Sequence, residues 1–324
     1  MESNSVKLNS SIESTSTGEQ IDIKDVSDLW HTTPSGEPRG YIQAESLTEL
    51  WFHTGTRCNL SCDFCLEGSS PSDKRLQSPK LEEVIPFIDE GLALGAQQFS
   101  FTGGEPMLVK DMVAILEYAS AKKPCLVLTN GTDPLVKRLA GLRQLLKSNH
   151  PISFRVSLDS FDPIEHDKGR GQGEFQKAIN GLKKLYDLGF AISVARHMKN
   201  DEDKAFVDQQ FAQLFIKNGL PGDLNIVAFP DFLPPGSLPD VPHITEHCMT
   251  HYQTAEQRSN FMCASSKMIV KKDGEMGVYA CTLVDDDPEY NLGKTLTESM
   301  QKRISMKHHR CYSCFAFGAT CSEM

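Results

Sequence analysis

Ser, Thr and charged residues dominate the chain up to about Gln43, with no sustained apolar period. Residues 1–43 therefore read as a disordered or loosely docked leader, in which Trp30 either pins the tail to the body or stands as a lone exposed aromatic. From Leu50 onward short apolar runs alternate with amphipathic stretches. Leu50–Thr54 (LWFHT) predicts a first strand. Ser78 and Pro79 look like an N-cap and first helical position, and Leu81, Val84, Ile85, Ile88 and Leu92 share one helical face before Gly95 stops it. Pro86 lies inside that span and should kink it.

The alternation continues. Strands are predicted at Gln98–Thr102, Cys125–Thr129, Ile152–Leu158, Phe190–Arg196 and Leu224–Phe229. Helices are predicted at Asp111–Lys122, Pro134–Leu146, over Phe175, Ala178, Ile179, Leu182 and Leu185 as far as Gly189, and at Lys204–Asn218, while Asp159–Gly173 reads as a loop. Six βα repeats imply a parallel sheet with right-handed crossovers, two repeats short of a closed eight-stranded barrel. In such sheets the active site lies at the C-terminal strand ends. Four sequence features fall there: a cysteine-rich loop after the first strand, Gly103-Gly104-Glu105-Pro106, Asn130-Gly131 and Ser157-Leu158-Asp159.

A Pro-rich stretch from about Pro230 to His247 separates this α/β core, residues 44–235, from residues 236–324. The second segment is a small cysteine-rich α+β extension. Cys263 and Cys281 flank a predicted hairpin that turns at Asp273-Gly274, and Cys311, Cys314 and Cys321 follow in the tail.

Composition narrows the function classes. The 324 residues carry a net charge of −10, which argues against a nucleic-acid backbone binder. No apolar run approaches the roughly 20 residues that span a bilayer. The first residues lack the basic and apolar regions of an export signal, so a reducing cytoplasmic setting is expected, and the ten cysteines read as metal ligands before disulfides.

The sharpest signal is Thr56–Ser69, TRCNLSCDFCLEGS, in which Cys58, Cys62 and Cys65 stand as C-x3-C-x2-C. Three thiolates are one short of a closed zinc tetrahedron, whereas a [4Fe-4S] cluster held by three leaves one iron open for chemistry. A zinc knuckle or three buried thiols are the alternatives. With Phe64 before the last cysteine, the motif resembles that of the radical S-adenosylmethionine (radical SAM) superfamily, and the resemblance extends over roughly residues 48–321.

That resemblance implies a partial (β/α)6 TIM-like barrel, a three-Cys [4Fe-4S] cluster and bound S-adenosylmethionine. Gly103, Gly104 and Glu105 would receive the methionine ammonium, Ser157 the ribose and Arg170 the methionine carboxylate. The C-terminal cysteines look like a twitch or shortened SPASM extension, in which Cys263, Cys281, Cys311 and Cys314 would hold one auxiliary [4Fe-4S] cluster, leaving Cys321 over. By spacing alone zinc fits those four equally well.

Other features take plainer readings. Gly169, Gly171 and Gly173 do not follow a strand directly, which argues against a dinucleotide loop. Cys125 reads as core. Cys248 with His243, His247 and His251 reads as a polar helix, Asp285–Asp287 as a solvated turn, and His308 and His309 as surface residues.

The expected activity is reductive cleavage of S-adenosylmethionine, followed by hydrogen abstraction from a substrate. A low-potential donor such as flavodoxin or ferredoxin would supply the electron. Peptide-modifying relatives often carry a leader-binding domain. The first 43 residues are short and polar for one, so oxidation or modification of a small molecule is favoured over a peptide substrate. A non-catalytic iron-sulfur or zinc protein is the reading from another class.

Overall fold

The computed structural model describes residues 29–198, 202–229 and 236–317. Cys321 and residues 1–28 lie outside them. The ten strands are β1 (Tyr41–Gln43), β2 (Glu49–His53), β3 (Gln98–Thr102), β4 (Cys125–Thr129), β5 (Ile152–Ser157), β6 (Ala191–His197), β7 (Ile226–Phe229), β8 (Ser266–Lys272), β9 (Glu275–Tyr279) and β10 (Arg303–Ser305). Helices α1 (Leu81–Ala93), α2 (Met112–Ser120), α3 (Asp133–Gln144), α4 (Pro163–Arg170), α5 (Glu174–Leu188) and α6 (Lys204–Lys217) connect the strands of the first half. In the second half come α7 (Glu246–His251), α8 (Ala255–Ser259), α9 (Met262–Ser265), α10 (Leu296–Met300) and α11 (His309–Phe317).

One sheet of eight strands runs β7-β6-β5-β4-β3-β2-β8-β9. Strands β2 to β7 are all parallel and follow one another in space, as six βα repeats require. Edges at β7 and β9 leave the barrel open, giving a partial TIM-like barrel. Alternation along each strand sorts its side chains. Leu50, Phe52, Phe99, Phe101, Phe154 and Val156 share one core with buried residues of α1, α2, α3, α5 and α6, such as Ile88, Ile115, Leu142 and Phe211. Trp51 and Leu126 belong instead to a second core shared with the C-terminal segment.

The predicted hairpin forms, and the two residues between β8 and β9 have the positive φ of a tight primed turn, 51° at Asp273 and 83° at Gly274. Strand β8 pairs in parallel with β2, a contact that no pattern in either stretch announces. Residues 29–43 dock on the C-terminal segment. Trp30 lies edge-on to Tyr290 at 4.9 Å, and β1 pairs with β10.

Other differences are local. Helix α1 begins at Leu81, two residues after the expected start, where Glu83 Oε2 accepts from Lys80 N (2.8 Å), and it continues through Pro86 to Ala93. Within the expected loop 159–173 stands α4, capped by Asp162 with Pro163 at its first position. No described helix is long and apolar enough to cross a membrane.

Candidate functional site

The cysteine loop leaves β2 through Gly55, whose φ of 98° suits glycine. It is built largely from backbone bonds. Cys58 N donates to Ser70 O (3.1 Å) and Cys65 N to Cys62 O (3.1 Å). The glycine turn after β3 then locks onto it, with Gly104 N donating to Gly55 O (2.8 Å) and Glu105 N to Arg57 O (3.1 Å). A Cβ on Gly104 would stand 2.4 Å from Arg57 O, so the two loops approach as closely as they do only because Gly104 has no side chain.

One cavity of ≈ 190 Å³ opens at the C-terminal ends of the strands. Its lining brings together Cys58, Cys62 and Cys65 with Phe64, Gly103, Gly104, Ser157 and Arg170, all singled out from sequence. Leu60 N and Ser69 N donate to the sulfurs of Cys58 and Cys65, each at 3.4 Å. Burial pushes the Cys58 thiol up to about 12 and the Cys62 thiol up to about 11, the latter opposed by Arg170. In the metal-free chain these thiols keep their protons, and metal binding would displace them. Three soft thiol ligands, two N–H donors aimed at sulfur and a glycine-lined wall fit an iron-sulfur cluster with one open side.

Arg170, at the end of α4, is joined to Asp159 through Nε to Oδ2 and through Nη2 to Oδ1 (3.2 Å). Burial opposes both charges. Each nonetheless holds the other ionised, with Arg170 raised above and Asp159 lowered below its ordinary range. The guanidinium lies over the Phe64 ring at 5.5 Å, and His197 meets that ring edge-on at 4.3 Å.

Glu105 lies deeper than the other candidate residues. It is buried beneath the cavity and absent from its lining. Oε1 accepts from Met107 N (2.9 Å) and Thr129 Oγ1 (2.8 Å), and Oε2 from Asn130 N (2.8 Å). Through these bonds the carboxylate ties the glycine turn to the end of β4.

Asp285 is likewise buried, which corrects its reading as a solvated turn. With His53 and Glu67 it forms a group whose ligand atoms lie within 4.8 Å of one another. Gly55 N donates to His53 Nδ1 (3.1 Å), so the ring's hydrogen sits on Nε2 and points to Glu67 Oε2 (3.1 Å). A metal at Nε2 would then demand an imidazolate, so the group reads as a hydrogen-bonded tie. Burial, and next the Glu67 carboxylate, push the Asp285 carboxyl up to about 7. Asp286 faces His308 (3.4 Å) and Arg310 (3.8 Å), so His308 is partnered rather than a free surface residue. Sequence reasoning missed this group because its members come from β2, the cysteine loop and the segment after β9.

The second set of cysteines also converges. Cys263 on α9, Cys281 just after β9, and Cys311 and Cys314 one turn apart on α11 line one small cavity with apolar neighbours such as Phe261 and Leu283. Burial pushes the Cys263 thiol up to about 11 and the Cys311 thiol up to about 12. Beside them Lys267 is wholly buried, and its Nζ donates to Cys263 O and Ser266 O, each at 2.9 Å. Desolvation pulls that ammonium down to about 8. A donor set of four thiols fits a metal-thiolate centre. Cys125 lies in the main core, as its apolar strand implies.

Residues 52–208 match the family model described as the Radical SAM superfamily. The chain is 31% identical over 156 residues to GTP 3′,8-cyclase of Mannheimia succiniciproducens, covering 46% of this chain and 44% of that protein. It is also 31% identical over 144 residues to the probable GTP 3′,8-cyclase of Archaeoglobus fulgidus, covering 44% and 46%. The chain thus spans less than half the length of these curated relatives. Among solved structures, Streptococcus suis SuiB superposes with a TM-score of 0.58 at 13% identity, over 79% of this chain and 66% of that one. Native anSMEcpe with bound AdoMet gives 0.56 at 15%, over 81% and 82%. At such identities the likeness is one of fold.

Proposed function

We propose that this chain, whose residues 52–208 match the Radical SAM superfamily model, is a radical SAM enzyme that abstracts hydrogen from a small molecule and oxidises or otherwise modifies it. The observation that carries this reading is the single cavity in which three cysteines, the glycine turn, Ser157 and Arg170 meet. Cys58, Cys62 and Cys65 would hold a [4Fe-4S] cluster. When bound there, the cluster and S-adenosylmethionine supply a 5′-deoxyadenosyl radical by one-electron cleavage of the sulfonium.

The chain's own residues orient and shield. Gly103 and Gly104 present bare backbone to the ligand's methionine end, and Phe64 walls the space between the thiols and Arg170. Ser157 offers a hydroxyl at the end of β5. Arg170 spends Nε and Nη2 on Asp159, which fixes its plane and leaves other N–H donors for a carboxylate. Cys263, Cys281, Cys311 and Cys314 would hold an auxiliary [4Fe-4S] cluster in a twitch or SPASM-like segment. A flavodoxin or ferredoxin would deliver the electron.

The relatives' name supports a small molecule over a peptide. Anaerobically reconstituted protein should bind about eight irons per chain, and about four once Cys58, Cys62 and Cys65 are all replaced by Ala. Reduced with dithionite, the intact protein should release 5′-deoxyadenosine and methionine, and Cys62→Ala should not. A fully loaded protein that yields no 5′-deoxyadenosine would leave a non-catalytic metal protein as the better reading.

A further inference from the structure

Lys267 poses a problem of charge. Its side chain is 0% exposed, and among the described residues no carboxylate pairs with it. An ammonium has three N–H donors. Two go to the carbonyls of Cys263 and Ser266, and the third has no partner among the described residues. Leaving a cation buried without an anion costs several kcal/mol. The ionisable groups acting on it are the Cys263 and Cys281 thiols.

Those thiols carry the complementary problem, since burial disfavours their charged forms. Four thiolates around a [4Fe-4S] centre or a zinc ion leave a net negative charge in the same apolar interior. We propose that Lys267 is the built-in counter-charge of the centre held by Cys263, Cys281, Cys311 and Cys314, and that it sets how readily that centre takes up an electron. The proposal rests on the auxiliary-cluster reading above. A unit charge beside a cluster in a poorly solvated site stabilises the more negative, reduced state, and net charge and hydrogen bonds to sulfur are the protein's usual means of setting such potentials. A purely structural role, tying the carbonyls at the end of α9 to β8, predicts no such effect.

The test uses the full chain with Cys58, Cys62 and Cys65 replaced by Ala, so that only the second centre remains. Iron and zinc are counted after anaerobic reconstitution, and the midpoint potential is read by EPR-monitored titration. Lys267→Met should shift the midpoint to more negative values, and Lys267→Arg should keep it near that of the Lys267 background. An unmoved midpoint in a fully loaded Lys267→Met protein overturns the proposal. If Lys267→Met cannot retain iron while Lys267→Arg can, the charge is required and the proposal stands. If both variants lose iron, the ammonium's fit to its two carbonyls matters rather than its charge, and the proposal fails. Zinc, or no metal, in the Lys267 background overturns the auxiliary-cluster reading instead.

Discussion

Glu105 shows how much of a residue's work within its own fold a short motif leaves unsaid. A carboxylate after two glycines at a strand end suits a ligand cation, yet this one accepts three donors from its own fold. Its partners Thr129 and Asn130 are some 25 positions away, and only the pairing of β3 with β4 brings them near. His166 is likewise held by its own fold. It is 1% exposed, and its Nδ1 accepts from Asp159 N (3.3 Å), which excludes a proton there. Burial, and next the nearby Arg170 charge, pull its pKa down to about 4. Between that value and its ordinary 6.5 the unfolded chain binds a proton that the folded chain does not, so stability should fall as pH drops through this window. The loss is on the order of 2–3 kcal/mol. His166→Asn keeps an acceptor for Asp159 N and removes the titrating group. Its urea midpoint should therefore change less between pH 7 and pH 4 than that of the parent, and equal slopes would count against this account.

At the scale of elements, the strands of the βα repeats were legible, and β1, β10 and α4 were not. Cys125–Thr129 announces itself because a parallel strand buried on both faces is apolar nearly throughout, and Gln98–Thr102 by the alternation of Phe99 and Phe101 with polar residues. Helix α4, PIEHDKGR, buries only His166, so it has no apolar stripe to betray it. Its legible signal was Asp162-Pro163, a cap and first-turn pair. The helix matters because it carries Arg170 and clears room for Phe64, since a Cβ on Gly169 would come within 2.2 Å of Phe64 Cε1. Gly169→Ala should push the ring, and the Cys62–Cys65 turn with it, at an overpacking cost of about 1–3 kcal/mol. The variant is expected to fold, as followed by circular dichroism, but to retain less iron per chain after reconstitution. Lys168→Ala, an exposed change on the same helix, should retain as much as the parent. If Gly169→Ala keeps its iron, Phe64 does not hold the loop in place.

Across the whole molecule, the boundary near residue 235 that composition suggested is a boundary in sequence more than in packing. Strand β2 delivers the cysteine loop and is buried at all five positions, with β3 on one side and β8 on the other. Trp51, at the middle of β2, shares a core with Met268 and Val270 of β8 and with Cys263 and Cys281. Residues 29–43 lean on the same segment, with Gly40 N donating to Ile244 O and Met306 N to Gly40 O, each at 2.9 Å. Strand pairing between residues more than 200 positions apart leaves no periodic mark in either stretch, which is why the alternation revealed six βα repeats but not where the hairpin would go. A fragment of residues 29–235 would expose Trp51 and an unpaired β2 edge beside the cysteine loop, a ready site for association with other chains. The full chain should unfold in a single cooperative transition, followed by both near-UV and far-UV circular dichroism. The fragment, expressed alone, should aggregate or run as mixed oligomers on size exclusion. A monomeric fragment that melts cooperatively would show that the first half closes its core without β8, and that the hairpin is an addition to a finished barrel rather than a wall of it.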